Sequence, residues 1–199
     1  MSIADDSLDR RMKMAPPPLI IIDMQVGMTW PSSGVRNNPG AEKNIQRLLE
    51  HWRTQHAHII HVHHRSRTVG SPFYPGQPGI EVQAPFKPTD SEYVIEKSVP
   101  DAFANSGLAE WLHTRQIVSV VIVGVSTNNS IESTARTAAN LGFKTFVISD
   151  ACFAFAKADY DGVHRTAQEV HAMSLANLDG EYATILSCNN AIGSIFSGA

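Results

Sequence analysis

Residues 118–136, VSVVIVGVSTNNSIESTAR, restrict the possible folds of this chain more than any other stretch. A continuous run of β-branched residues is typical of a strand that is buried on both faces, and such strands occur in parallel sheets covered by helices. The run ends in a polar turn, after which residues 129–141 have a helical pattern with Gly142 as the C-terminal cap. The stretch therefore predicts a strand–turn–helix unit whose strand is central in its sheet.

The same alternation of apolar runs and one-sided helical patterns recurs through the 199-residue chain. Strands are predicted at residues 19–23, 57–63, 92–97, 118–123, 144–149 and 182–186, and helices at residues 41–56, 107–115, 129–141 and 167–178. This order predicts an α/β fold, a three-layer αβα sandwich with a six-stranded, mostly parallel Rossmann-like sheet and helices on both faces. We expect a flexible arm at residues 1–15 and a single domain at residues 16–199.

The composition argues against several classes of partner. The net charge of −3 is spread without a basic run, so no nucleic-acid partner is predicted. No stretch reaches the roughly 20 apolar residues of a membrane helix, and the N-terminus has no apolar core of a secretory signal. The two cysteines, Cys152 and Cys188, provide no disulfide framework. We therefore expect a cytoplasmic protein that acts on a small molecule.

Polar side chains stand at the carboxyl ends of three predicted strands, where open parallel sheets bind their ligands. Asp23 directly follows an apolar run, a position in which a carboxylate is unfavourable unless it has a partner. It is either a turn cap or a general acid or base with a shifted pKa. Lys97 ends another predicted strand, and its ammonium gains a functional meaning only where it meets Asp23.

The third position is the polar turn at residues 126–130, STNNS. The free N–H groups and the positive dipole end of a helix N-terminus suit an oxyanion or an anionic substrate. Helix capping would use some of these residues too, but it does not explain why four good capping types occur together at residues 127–130. Ser130 lies where a site of this kind carries its nucleophile.

A segment rich in proline and glycine, residues 65–91, interrupts the alternation and is either a lid or pocket wall or a plain surface crossing. The nearby histidines His61, His63 and His64 do not form a zinc motif, so we predict no metal and no cofactor. The candidate substrate contacts are Trp30, His64, Arg65, Phe103 and Thr127.

Three motifs in this order resemble those of the isochorismatase-like hydrolase superfamily, over about residues 18–191. LIIIDMQ resembles the opening strand with its catalytic aspartate, here Asp23. EKSVPDAFANSGL resembles the lysine motif, here with Lys97. VIVGVSTNNSIESTARTAANLGF resembles the nucleophile motif, in which the family's amidases have cysteine and this chain has Ser130.

The resemblance implies a hydrolase domain that forms homo-oligomers and has a cis peptide bond between Val125 and Ser126. It also implies an oxyanion hole formed by the backbone N–H groups of Ser126 and Ser130. The zinc-binding Asp and His residues of nicotinamidases are not recognisable in this chain, which agrees with the absence of a predicted metal.

The serine leaves several interpretations open. In the isochorismatase reaction, Asp23 would protonate a vinyl ether and Ser130 would only form hydrogen bonds. In an amidohydrolase, which cleaves C–N bonds, residue 130 would be the acyl nucleophile, either as a natural serine or as one engineered from cysteine. Serine is a poorer nucleophile for an Asp–Lys pair because its hydroxyl is far less acidic than a thiol. A non-catalytic binding protein on a degenerate hydrolase fold is the alternative outside enzymes.

Overall fold

A computed structural model describes residues 16–196, so the arm predicted at residues 1–15 lies outside the described residues. The strands are β1 (Leu19–Ile22), β2 (Ile59–His64), β3 (Tyr93–Lys97), β4 (Ser119–Val125), β5 (Lys144–Phe153), β6 (Lys157–Ala158), β7 (His164–Arg165) and β8 (Thr184–Leu186). The helices are α1 (Ala41–Thr54), α2 (Leu108–Thr114), α3 (Glu132–Asn140), α4 (Ala167–Leu178) and α5 (Cys188–Ser194).

Six strands form one sheet in the order β3-β2-β1-β4-β5-β8, and every neighbouring pair in it is parallel. The predicted α/β fold with a six-stranded sheet is therefore confirmed. Strands β1 and β4 occupy the centre, which explains why their sequences are continuous apolar runs. The short antiparallel pair β6–β7 lies outside this sheet and was not predicted from the sequence.

Two apolar cores cover the two faces of the sheet. Ile20 and Ile22 of β1 point into the core that contains residues of α2, α3 and α4. Leu19 and Ile21 point into the other core, which α1 and α5 complete. Trp52 of α1 is fully buried there, and burying a side chain of this size stabilises the fold by about 2–3 kcal/mol.

Strand β5 continues four residues beyond its predicted end at residue 149. After an irregularity in the pairing, Cys152 lies beside Gly124 of β4, so Cys152 is a buried strand residue. The polar pair Ser149–Asp150 made this strand look shorter than it is. Asp150 has a structural task, because its side chain accepts a hydrogen bond from the backbone N–H of Cys188 at the start of α5.

The helix predicted at residues 129–141 begins differently from the prediction. A turn with π-helical geometry, Thr127–Ile131, follows β4 directly and leads into α3. We call Ser126 together with Thr127–Ile131 the nucleophile turn. Gly142 follows the end of α3 with a φ of 90°, the left-handed conformation that glycine adopts at a C-terminal cap.

Candidate active site

Asp23 is delivered to the carboxyl edge of the sheet by the central strand β1. It directly follows Ile22, its backbone N–H donates to the carbonyl of Val62 at 2.9 Å, and its φ of 55° turns the chain away from the sheet. Gly124 of β4 permits this close approach, because a Cβ atom there would lie 2.1 Å from the carbonyl oxygen of Ile22. Asp23 is consequently held at the junction of β1 and β4, with 1% of its surface exposed.

Lys97 reaches this carboxylate from the end of β3, although β2 lies between the two strands. Its Nζ donates to Oδ2 of Asp23 at 2.7 Å, and its side chain is fully buried. A buried ammonium with this geometry is unfavourable without its carboxylate partner. The sequence predicted a functional meaning for Lys97 only where it meets Asp23. In the structure the two side chains form an ion pair.

Ser130 completes a triangle of polar atoms at this edge. Its hydroxyl donates to Oδ2 of Asp23 at 2.7 Å, and Nζ of Lys97 lies 3.2 Å from the serine oxygen. Ser130 is buried, and it reaches this position because the nucleophile turn follows β4, the strand next to β1. We call Asp23, Lys97 and Ser130 the polar triangle.

The two oxygens of the Asp23 carboxylate have different surroundings. Oδ2 accepts the bonds from both Lys97 and Ser130, whereas Oδ1 is buried and has no hydrogen-bond partner among the described residues. Burial raises the pKa of Asp23, and the attraction of Lys97 and the hydrogen bonds from Lys97 and Ser130 lower it only in part. Asp23 is thus a carboxyl group that can bind a proton more readily than an exposed aspartate.

The nucleophile turn has the backbone geometry that the resemblance implies. The peptide bond between Val125 and Ser126 is cis. The carbonyl of Ser126 accepts from the N–H groups of Asn129 at 3.1 Å and Ile131 at 3.2 Å, which closes the turn. The role of the Ser126 and Ser130 N–H groups as an oxyanion hole stays a prediction.

Among the candidate substrate contacts, His64 interacts electrostatically with Asp23 and Lys97 of the polar triangle. It is half-buried at the end of β2, next to Lys97 in the register of the sheet, and burial followed by the charge of Lys97 lowers its pKa. Arg65 is exposed and forms an ion pair with Glu96 at 2.6 Å. In the structure, the guanidinium of Arg65 is bound to Glu96 at the protein surface.

The three other candidate contacts lie in different surroundings. Trp30 is half-buried in the segment after β1. Phe103 is 8% exposed and packs in the core beside Phe143, with ring centroids 6.0 Å apart. Thr127 is fully buried, and its hydroxyl lies 2.8 Å from Nδ1 of His171 on α4. Phe103 therefore packs against another core side chain, and the hydroxyl of Thr127 is bound to a histidine inside the protein.

A hydrogen bond from the side chain of Gln25 links residues 65–91 to the segment that follows Asp23. Gln25 is fully buried, and its side-chain amide donates to the carbonyls of His64 at 3.0 Å and Ile80 at 2.9 Å. Its oxygen accepts from the backbone N–H of His64 at 2.8 Å. Gln25 is a residue of the site region that was not predicted from the sequence. Its position two residues after Asp23 was the signal that could have identified it.

No metal centre is evident in residues 16–196, where no group of three or more His, Cys, Asp or Glu side chains could hold an ion. His61 lies 2.9 Å from Glu92 instead, and Nε2 of His63 is buried without a described partner. Within the same residues, no helix has the length and hydropathy needed to span a membrane.

Comparisons with known proteins identify the family to which the chain is similar. The sequence model of the isochorismatase domain matches residues 17–186. The isochorismatase family protein YrdC of Bacillus subtilis is 38% identical over 174 residues, which cover 87% of this chain and 93% of YrdC. Streptothricin hydrolase of Streptomyces noursei is 30% identical over 136 residues, which cover 67% of this chain and 48% of that protein. A crystal structure of an isochorismatase family protein from Chromobacterium violaceum matches with a TM-score of 0.88 and 42% identity, covering 90% of this chain and 93% of that one.

Proposed function

We propose that this chain, which belongs to the isochorismatase family and is a hydrolase, cleaves a small molecule by proton transfer at Asp23. The observation that carries the proposal is the asymmetry of the Asp23 carboxylate. Its Oδ2 is held by Lys97 and Ser130, while its buried Oδ1 has no described partner. Oδ1 is therefore the oxygen that exchanges a proton with the substrate.

The reaction that fits best is acid-driven hydrolysis of a vinyl ether. Protonated Asp23 gives its proton to the terminal vinyl carbon, which leaves a cation on the carbon that bears the ether oxygen. Water adds to this carbon, and the Asp23 carboxylate takes the proton that the water loses. The resulting hemiketal separates into a carbonyl compound and an alcohol. The raised pKa of Asp23 supports this acid role.

In this mechanism, Lys97 and Ser130 orient the carboxyl group. Both bind Oδ2, at 2.7 Å each, so they direct Oδ1 to the substrate and stabilise the carboxylate after it has released its proton. Lys97 opposes the raised pKa, but burial is the larger influence on Asp23. No covalent bond forms between Ser130 and the substrate in this reaction.

Amide hydrolysis through Ser130 is the second candidate, and the 2.7 Å hydrogen bond from its hydroxyl to Asp23 favours it. Asp23 would take the hydroxyl proton while the oxygen attacks the amide carbonyl, and it would then give the proton to the leaving nitrogen. Water would release the acyl group from Ser130. The likeness to streptothricin hydrolase supports this candidate, whereas the weak acidity of a serine hydroxyl opposes it.

Replacing Ser130 with alanine distinguishes the two reactions. A screen with isochorismate as the vinyl ether, nicotinamide and other small amides, and ureides would identify a hydrolysed compound. Acid-driven hydrolysis predicts that Ser130→Ala keeps kcat within about 10-fold, because it loses one hydrogen bond to Asp23. An acyl-enzyme predicts a loss of about 10³-fold or more and an acyl adduct on Ser130 in mass spectra of the wild type. Ser133→Ala, one turn further along, is the matched control.

The assembly and the location of the protein stay predictions. A groove of about 880 Å³ lies beside the nucleophile turn, between α4 and the β6–β7 pair, and Met173 in its lining is 64% exposed. The groove is a candidate contact surface for the predicted homo-oligomer. Light scattering coupled to size-exclusion chromatography would measure the number of copies, and cell fractionation would test the cytoplasmic location.

A further inference from the structure

The nucleophile turn is held on its far side by helix α4. His171 and Ser174 lie three residues apart on α4, which places them on one face of the helix. Nδ1 of His171 lies 2.8 Å from the hydroxyl oxygen of Thr127. The hydroxyl of Ser174 lies 2.9 Å from the Thr127 carbonyl oxygen and 2.7 Å from the Glu132 carboxylate, and its one hydrogen is donated to one of these two acceptors. These residues are buried, with exposures of 0% for Thr127, 4% for His171 and 2% for Ser174. Neither α4 residue was predicted from the sequence to have a role.

The hydrogen-bond partners of His171 identify its tautomer. Nε2 lies 3.4 Å from the amide nitrogen of Asn38, but that nitrogen already donates its two hydrogens to the carbonyls of Ser149 at 2.9 Å and Cys152 at 2.7 Å. Because Asn38 has no hydrogen left to donate to Nε2, we assign the ring proton to Nε2, which leaves Nδ1 as an acceptor.

This tautomer determines the direction of the bond to Thr127. Because Nδ1 has no proton, the hydroxyl of Thr127 must donate to it. Burial lowers the pKa of His171, so the ring is neutral at pH 7 and the acceptor is retained. Thr127 directly follows Ser126 and opens the turn that ends with Ser130 and Ile131. His171 thus binds Thr127, the second residue of the nucleophile turn.

We propose that His171 is a positioning residue, which accepts the Thr127 hydrogen bond at Nδ1 and thereby holds the nucleophile turn in place beside Asp23. The proposal rests on the proposed function, in which the turn faces the reacting atoms of the substrate. His171 acts through Thr127 and does not contact the polar triangle in the structure. Small displacements of such a turn can lower turnover by about 100-fold.

Two substitutions separate the hydrogen bond from the bulk of the side chain. His171→Asn puts an oxygen near the position of Nδ1 and keeps an acceptor for Thr127, whereas His171→Leu fills similar space without one. Thr127→Val removes the donor, and Thr127→Ser retains it. His61→Asn is the matched control, because His61 is also a buried histidine but binds Glu92 away from the turn.

The first measurements do not depend on activity. Nitrogen-15 NMR of the histidine rings should show an unprotonated Nδ1 and a protonated Nε2 for His171 at pH 7. Hydrogen exchange at the N–H groups of Asn129 and Ile131, which close the turn on Ser126, should accelerate about 10-fold or more in His171→Leu and Thr127→Val. Exchange in His171→Asn and His61→Asn should stay within about 3-fold of the wild type.

Kinetics with the compound that the screen identifies supply the second readout. His171→Leu and Thr127→Val should each lower kcat by up to about 10-fold with little change in KM, and the double variant should be no worse than the singles. His171→Asn should restore most of the turnover. A loss that follows melting temperature in all variants, including His61→Asn, would show that His171 is merely structural.

The result that overturns the inference differs from the one that overturns the proposed function. A protonated Nδ1, or unchanged exchange at Asn129 and Ile131 in His171→Leu, contradicts the positioning role even if Asp23 is essential. Full turnover of Asp23→Asn contradicts the proposed function, and the NMR and exchange measurements still decide whether His171 holds the turn.

Discussion

Two buried clusters of charge lie at opposite ends of strand β3, and their carboxylates differ in how fully they are bound. At the amino end, Glu92 accepts two bonds from Arg53 at 2.7 and 2.9 Å and one from the backbone N–H of Thr89 at 3.0 Å. His61 adds a contact at 2.9 Å. At the carboxyl end, Asp23 receives all its bonds on Oδ2, and Oδ1 has no partner among the described residues.

Because the two carboxylates differ in their hydrogen bonds, their pKa values are shifted in opposite directions. Burial raises the pKa of each carboxyl group, but the bonds from Arg53, Thr89 and His61 outweigh burial at Glu92 and lower its pKa to about 2. At Asp23 burial outweighs Lys97, and the pKa is raised. A carboxylate with all its acceptor sites in use serves stability, and one with an unpaired oxygen can exchange a proton.

Among the substitutions that test this comparison, Asp23→Asn should have the largest effect, a loss of turnover, because an amide cannot exchange the proton. We expect kcat to fall by about 10³-fold, within the usual range for loss of a general acid. The assay uses the compound that the screen identifies, and circular dichroism checks that the variant folds. Retention of more than about a tenth of the wild-type kcat would refute the role of Asp23. Glu92→Gln is the control and should keep kcat within about 2-fold.

The converse change, Glu92→Gln, should affect stability instead of turnover. It leaves His61 and Arg53 without their anion, and we expect the free energy of unfolding to fall by about 3 kcal/mol. This value is at the lower end for a broken buried pair because the Arg53 side chain is 34% exposed. Urea denaturation at pH 7 measures the change. A loss below about 1 kcal/mol would mean that the cluster around Glu92 is not a stabilising one.

We call Glu92 with Arg53, Thr89 and His61 the amino-end cluster. Measuring the free energy of unfolding as a function of pH distinguishes the contribution of this cluster from that of its neighbour His63. Burial, followed by the charge of His61, lowers the pKa of His63 from 6.5 to about 4. Above pH 6.5 this histidine is neutral in both states. As the pH falls towards 4, the unfolded chain binds a proton that the folded chain does not, so stability decreases, by about 2 kcal/mol after allowance for solvent screening.

His63→Leu should remove this part of the decrease between pH 6.5 and 4, as measured by urea denaturation of both proteins across that range. Glu92 acts at lower pH. Its pKa is lowered from 4.5 to about 2, so its contribution is present above pH 4.5 and is lost as the pH falls through 2. Identical pH dependence of the two proteins above pH 4 would rule out the contribution of His63.

The smallest effect is expected from Arg65→Ala, at a third ion pair that lies at the surface. Arg65 and Glu96 have side chains that are 49% and 52% exposed, so breaking their contact should change the free energy of unfolding by less than about 0.5 kcal/mol. The same variant tests the prediction that Arg65 contacts the substrate. An unchanged KM would remove Arg65 from the candidate contacts, and Glu96→Ala controls for loss of the ion pair.

The sequence was sufficient for the order of the major elements and for the three residues of the polar triangle in the candidate site. The apolar runs of β1 and β4 and the helical patterns of α1 and α4 are local signals, and α4 occupies the predicted residues 167–178. The sequence missed α5 and the β6–β7 pair, which are short, and it ended β5 too early at Ser149.

The candidate site was predictable only as far as strand ends could be recognised. Asp23 and Lys97 were identifiable because each ends a predicted strand, and Ser130 because it lies in the polar turn that follows β4. His171 was not identifiable, since its partner Thr127 lies 44 residues away on another element. The i, i+3 spacing of His171 and Ser174 was the signal within the sequence, but it indicates only a shared helix face.

The sequence by itself determined that parallel strands end in an aspartate, a lysine and a helix start, because hydrophobic periodicity acts over a few residues. Only the tertiary structure decided which atoms meet. Asp23 and Lys97 are 74 residues apart, yet the order of strands brings them to 2.7 Å. The unpaired Oδ1 of Asp23 and the saturated carboxylate of Glu92 follow from that packing, because burial and hydrogen bonding depend on neighbours in space and not in sequence.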